Sequence, residues 1–162
     1  FRSLHRVFSN PAVIQTLNMD AMDDYLSELK EIASYCQGIP QGKGNITLNY
    51  SLNSKLRASG QVKILGKGCF NTEIKAGARV EIWGVFRGGS IYAANDVYLQ
   101  EMGSPGGART LVRVAAGRHI KVVKIWPNSI LQIGKRITSI DTERDRILAY
   151  LDSENNLVLG GF

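Results

Sequence analysis

Apolar residues recur at alternate positions in a short motif that the chain repeats. Leu56-Arg-Ala58-Ser-Gly-Gln-Val62-Lys-Ile64 is echoed by Ile74-Lys-Ala76-Gly-Ala-Arg-Val80-Glu-Ile82 and by Ile91-Tyr-Ala93-Ala-Asn-Asp-Val97-Tyr-Leu99. Two further copies are Val114-Ala-Ala116-Gly-Arg-His-Ile120-Lys-Val122 and the looser Leu131-Gln-Ile133-Gly-Lys-Arg-Ile137-Thr-Ser-Ile140. Successive copies start about 18, 17, 23 and 17 positions apart, a period that marks stacked structural units. Period-two alternation makes each copy two short strands joined at a small or turn-prone corner such as Ala58-Ser59-Gly60.

A coil of about 17 to 18 residues has room for three short sides. The expected fold is therefore all-β with an N-terminal helix: a single-stranded parallel β-helix, three-sided, of five to six coils. Stacking at about 4.8 Å aligns equivalent side chains into interior columns. These are expected to be Leu56/Ile74/Ile91/Val114/Leu131, Ala58/Ala76/Ala93/Ala116/Ile133 and Val62/Val80/Val97/Ile120/Ile137. The small alanines suit a tight interior beside a corner. Candidates for the third side are Cys69-Phe70, Val85-Phe86, Leu111-Val112 and Ile125-Trp126.

Upstream the period changes to that of a helix. Ser9-Asn10-Pro11 is a start signal, and Asn18-Met19-Asp20 a second cap. Met22, Tyr25, Leu26, Leu29, Ile32, Ala33 and Cys36 follow at helical spacing until Gly38 and Pro40. The expected division is a helical segment over 1–40 and the β-helix over 41–162. The helix has two open roles, packing on or capping the solenoid, and forming a seam between copies in which Tyr25 and Leu29 take part. Asn45–Tyr50 alternates as half of an incomplete first coil. Ile147–Leu151 and Leu157–Leu159 read as a terminal hairpin that caps the last coil and covers its strand edges. The chain opens on Phe1 rather than Met, as expected of an internal part of a longer protein or a processed product.

The 162 residues and a hydrophobic content of 44% suit a real core. No apolar run is long enough to span a bilayer, which leads to the expectation of a soluble, cytoplasmic protein. Two cysteines, Cys36 and Cys69, have neither metal-ligand spacing nor the density of a disulfide scaffold. Charge is uneven. Residues 11–37 hold five acids against Lys30, net −4, whereas 38–140 hold 15 Lys and Arg against four acids, net +11. Outward Arg57, Lys63, Lys75, Arg79, Arg113, Arg118, Lys121, Lys135 and Arg136 are expected to line up in rows. Arg57, Lys75, Arg79, Arg118 and Lys121 are the candidates for contact with a partner or for weak polyanion binding. The lengthened period leaves a surplus in Glu101–Gly107, so Ser104, Pro105 and Gly106 are candidates on a projecting loop.

Catalytic chemistry has few carriers. An acyltransferase on a hexapeptide-like β-helix needs a base to activate its acceptor. The histidines are His5 and His119, and His119 falls at an outward position. Gly103-Ser104-Pro105-Gly106-Gly107 lacks the Lys-Ser/Thr and helix of a phosphate loop. The expectation is no catalytic, cofactor or metal residues, with the acyltransferase as the rival reading.

Arg87-Gly-Gly89-Ser-Ile91-Tyr-Ala93-Ala-Asn-Asp-Val97, followed by Glu101-Met-Gly-Ser104 and Thr110-Leu-Val-Arg-Val114, resembles the bacterial flagellar assembly protein A (FapA) family. Ile125-Trp-Pro-Asn128-Ser-Ile-Leu-Gln-Ile-Gly134 is similar to the strand that enters that family's last coil. The resemblance implies a non-catalytic β-helical domain, akin in architecture to the cell-division inhibitor MinC and to bactofilins. It also implies a scaffold role in flagellar assembly or cell-pole organisation, with protein partners. Relatives often carry a long helical segment near the final coils, and here Val114–Trp126 runs without one. A discrete homodimer or small closed oligomer, with the N-terminal helix at or near its interface, is the expected assembly.

Overall fold

The computed structural model describes residues 23, 24, 26–31 and 44–162. The chain divides into two compact units, 1–41 and 42–162. In the first, the described residues are helical, with Leu26 and Leu29 exposed. The two proposed helix caps and Tyr25 lie outside the described residues.

The second unit is a β-solenoid of about five turns. Its strands are β1 (Ile46–Leu52), β2 (Lys55–Ala58), β3 (Val62–Ala76), β4 (Val80–Ala93), β5 (Val97–Met102), β6 (Thr110–Val114), β7 (Ile120–Ile125) and β8 (Ser129–Ile133). After them come β9 (Arg136–Ile140), β10 (Arg144–Leu151) and β11 (Leu157–Gly161). Parallel pairing stacks the coils in three ladders. The first aligns Ile46, Val62, Val80, Val97 and Ile120. The second aligns Ser51, Cys69, Phe86, Met102 and Ile125. The third aligns Leu56, Ile74, Ile91, Val112 and Leu131, and beside them Ala58, Ala76, Ala93, Val114 and Ile133.

The alternation predicted from sequence matches the packed core except at Ala116 and Ile137. Val62, Val80, Ile74, Ala93, Phe86 and Leu131 are wholly buried. Of the paired candidates for the remaining side, Cys69, Phe86, Val112 and Ile125 point inward, while Phe70, Val85, Leu111 and Trp126 are half-buried. Met102 is the inward residue that the pattern did not single out.

Two corners dictate residue type. Between the second and third ladders the backbone turns left-handed at Asn53 (φ 49), Asn71 (φ 46), Gly88 (φ 69) and Asn128 (φ 60). Asn and Gly tolerate that region best, because other side chains meet the following carbonyl. Asn71 Nδ2 donates to Asn53 Oδ1 one coil away at 2.9 Å, so the corner is also a short amide ladder. Thr72 and Thr110, buried just beyond it, satisfy their hydroxyls on Phe70 O and Ala108 O, each at 3.0 Å. Between the first and second ladders, Gly68 (φ 113) lies so close to Val85 that an added Cβ would stand 1.9 Å from its carbonyl oxygen.

Three expected registers are corrected. Val112, not Val114, continues the Leu56 column, and Val114, not Ala116, continues the alanine column. From Ala93 to Val97 the chain takes four steps, and from Val114 to Ile120 it takes six, so the turn here holds two extra residues. Ala116 sits in that turn, exposed. Ile137 does not continue the Val62 column. A two-residue turn at Gly134-Lys135, with Gly134 at φ 56, reverses the chain, and β9 runs antiparallel to β8, leaving Ile137 63% exposed. A glycine opening a two-residue loop is a hairpin signal. In the first coil Ile46 pairs with Val62.

The two ends differ. β10 pairs antiparallel with both β7 and β11, and Ile140, Ile147 and Ala149 there are buried. At the other end Ile46, Leu48, Leu56 and Ala58 are only partly buried against the core.

Candidate functional site

A largely apolar interior leaves recognition to the outward side chains, and the ladder register decides which of these become neighbours. Along the third ladder the outward column is Arg57, Lys75, Tyr92, Arg113 and Gln132. Beside it run Lys55, Glu73, Ser90, Leu111 and Ile130. Lys75 Nζ lies 3.1 Å from Glu73 Oε1. That hydrogen bond, reinforced by the Lys75 charge and more weakly by Lys55 and Arg57, holds the Glu73 carboxyl below the usual carboxylate range. Arg113 Nε donates to Gln132 Oε1 at 2.9 Å, which fixes the guanidinium across one coil step.

Of the predicted basic residues, the structure brings Arg57 and Lys75 together as register partners. Arg79 and Arg118 are exposed on turns leading into the first ladder. Lys121 is on the outward side of that ladder, with Nζ 3.9 Å from the centre of the Phe162 ring. Arg79 and Lys63 both pair with Glu81, at 3.5 and 3.2 Å. Arg79 and Lys121 share an open hollow with Asp96, Tyr98 and His119. The basic residues expected in rows thus include two separate groups, Arg57 with Lys75 and Arg79 with Lys121. Tyr92 is absent from the sequence-based candidates, although alternation signals it: Ile91 is buried and the next residue must point out.

The loop after Met102 carries the surplus residues between β5 and β6. Pro105 and Gly106 are exposed on it. Ser104 is buried; its Oγ accepts from Ala108 N at 3.2 Å and its carbonyl from Gly107 N at 2.9 Å. It therefore shapes the loop from within. Leu29 lies in the other unit, exposed on its helix.

His119 has one acidic neighbour. Its backbone N donates to Asp96 Oδ1 at 2.8 Å and its Nδ1 is 3.4 Å from the same oxygen. Both side chains are more than half exposed, so an acceptor activated there would face bulk water. The Cys69 thiol is pushed up to about 11 by burial and stays protonated near neutrality, a poor nucleophile. Among the described residues no cluster of His, Cys, Asp and Glu could hold a metal ion. No helix among them is long and apolar enough to cross a membrane.

The second ladder shows a further set of outward contacts. Trp126 Nε1 donates to Glu101 Oε1 at 2.8 Å, and Lys124 stands 4.4 Å from the centre of the Trp126 ring while pairing with Glu143 at 2.7 Å. These residues satisfy one another across the junction of solenoid and hairpin.

Stacked coils with a largely apolar interior, outward charges and open, shallow hollows define a β-solenoid. The chain belongs to the flagellar assembly protein A family: the β-solenoid domain of that family (FapA) matches residues 33–123. No curated protein and no solved structure matches the chain.

Proposed function

We propose that this chain is a non-catalytic structural and interaction module in flagellar assembly or cell-pole organisation, acting in the cytoplasm. In this reading the solenoid is a stiff three-sided rod, with the three ladders as its sides. The β10–β11 hairpin serves as its C-terminal cap. Protein partners bind its outward columns, and the chain forms a discrete homodimer or small closed oligomer.

The observation that carries the reading is the partition of the side chains. Apolar groups and a few hydroxyls, those of Thr72 and Thr110 bonded to nearby carbonyls, fill the interior, and the ionisable groups that could meet a partner stand on outward ladder positions. Antiparallel strands along β7 and β8 favour a closed assembly over an open filament, because parallel coil stacking cannot simply continue past them. Polyanion binding by the basic columns remains a weaker role within this reading, and would fade steeply with added salt.

The test is complementation. A strain deleted for the gene should build fewer or misplaced flagella, counted by electron microscopy. Plasmids carrying the intact chain or His119→Ala should restore them equally. A His119→Ala chain that folds but fails to restore flagella would favour the acyltransferase. A deletion without a flagellar defect would remove the assembly role.

A further inference from the structure

The outward side of the third ladder changes character along the solenoid axis. Its first coils present Lys55, Arg57 and Lys75, with Glu73 as their single acid. Its later coils present Leu111, Ile130 and Ile137 around Arg113, with Ile137 continuing the Gln132 position on β9. Tyr92 stands between Lys75 and Arg113, one coil step from each, and is 46% exposed. A shallow groove lies on either side of the tyrosine: one is lined by Arg57 and Ala76, the other by Leu111 and Arg113.

The mixture selects the partner. Tyrosine offers an apolar ring and a polar tip, and Arg57 and Arg113 can each take a carboxylate in a forked hydrogen bond. A nucleic acid or acidic polysaccharide would leave the apolar coils unused, and its regularly spaced anions would meet the Glu73 carboxylate. A protein segment with acids spaced to meet Arg57 and Arg113, and apolar side chains between and beyond them, matches the whole column.

We infer that this face binds an acidic amphipathic segment of a protein partner, its carboxylates on Arg57 and Arg113 and its apolar side chains over Tyr92, Leu111 and Ile137. This deepens the interaction-module reading and rests on it. From Arg57 to Ile137 the column takes five steps of about 4.8 Å, about 24 Å in all. A helix of about sixteen residues spans that length, in the manner of an amphipathic helix laid in a groove.

The experiment measures fluorescence anisotropy of a labelled sixteen-residue helical peptide of Glu, Ala and Leu, with Glu spaced to meet Arg57 and Arg113 and Leu between and beyond them, titrated with the full chain. The peptide should bind, and its Gln-for-Glu analogue should bind at least tenfold more weakly. Arg113→Gln, Arg57→Gln and Tyr92→Ala should each weaken binding about fivefold or more with unchanged circular dichroism. Lys63→Gln, on the first ladder, should leave it unchanged. No binding by the full chain, or binding indifferent to all three substitutions, overturns the inference. Equal affinity for a sixteen-nucleotide oligo-dT, lost in the same variants, overturns it in favour of a polyanion site. In cells the two claims separate. If the folded groove variants restore flagella to the deletion strain as well as the intact chain does, the groove falls and the module reading stands. If the deletion itself leaves flagella unchanged, the module reading falls.

Discussion

Replacing Ala93 by Leu should cost the solenoid stability that the same change at Ala116 does not. Ala93 is wholly buried, stacked between Ala76 at 3% exposure and Val114 at 1%. With coils about 4.8 Å apart, its neighbours in the column lie directly above and below. Leucine adds three carbons to a space already filled, and such overpacking costs about 1–3 kcal/mol. For a unit spanning 42–162, each kcal/mol moves the thermal midpoint by about 3–6 °C, so the expected loss is about 3–18 °C. Ala116, exposed in the six-step turn, should tolerate Leu within about 0.5 kcal/mol. The assay is thermal unfolding followed by far-ultraviolet circular dichroism of both variants in the intact chain. An unchanged midpoint for Ala93→Leu, or an equal loss for Ala116→Leu, would refute the register and the reasoning built on it.

Gly89, at φ 96, would bring an added Cβ to 2.3 Å from Thr72 O, whereas Gly117, at φ 72, has open space. In urea titrations Gly89→Ala should therefore lose about 1–3 kcal/mol more than Gly117→Ala, and equal losses would place the close approach elsewhere. Burial raises the Cys69 pKa, so the unfolded thiol ionises first: this group contributes nothing to pH dependence below about pH 9 and lowers stability as pH rises from there towards 11. Peptide mapping after alkylation at pH 8 should find Cys69 unmodified until denaturant is added, and rapid native labelling would contradict its burial. Light scattering of the intact chain should give a discrete dimer or small closed oligomer, and long polymers would defeat that proposal.

Much of the fold is legible because a half-buried strand writes its inward face every second residue. Val62, Val80, Val97 and Ile120 can be stacked from sequence, and the stack is the observed one. The fourth coil escapes the same reasoning for a physical reason. Sliding a strand by two residues keeps every side chain on its face, so Val112-Arg-Val114 and Val114-Ala-Ala116 satisfy the pattern equally. Only the length of the following turn separates them. Ile137 misleads similarly, since the alternation survives the reversal at Gly134-Lys135. The left-handed corners at Asn53, Asn71, Gly88 and Asn128 were not singled out, because alternation registers only apolar and polar positions.

The surface depends on that register. With Val114 opposite Ile91, Tyr92 would face Ala115. With Val112 there, Arg113 becomes its neighbour and the mixed column of cations, ring and apolar residues exists. Single outward charges could be listed from sequence. Their grouping into one third-ladder column and a separate Arg79/Lys121 hollow could not, because it rests on contacts between residues 17 to 23 positions apart.

The central claim, that this solenoid works by binding a protein along its third ladder, is tested most directly by photo-crosslinking in living cells. A photoreactive phenylalanine placed at Tyr92 should yield a discrete protein adduct during flagellar growth, and mass spectrometry should place the adduct in an acidic amphipathic segment. The same probe at Tyr98, on the first ladder, should yield none. No adduct at Tyr92, or adducts of equal strength at both positions, would contradict the account.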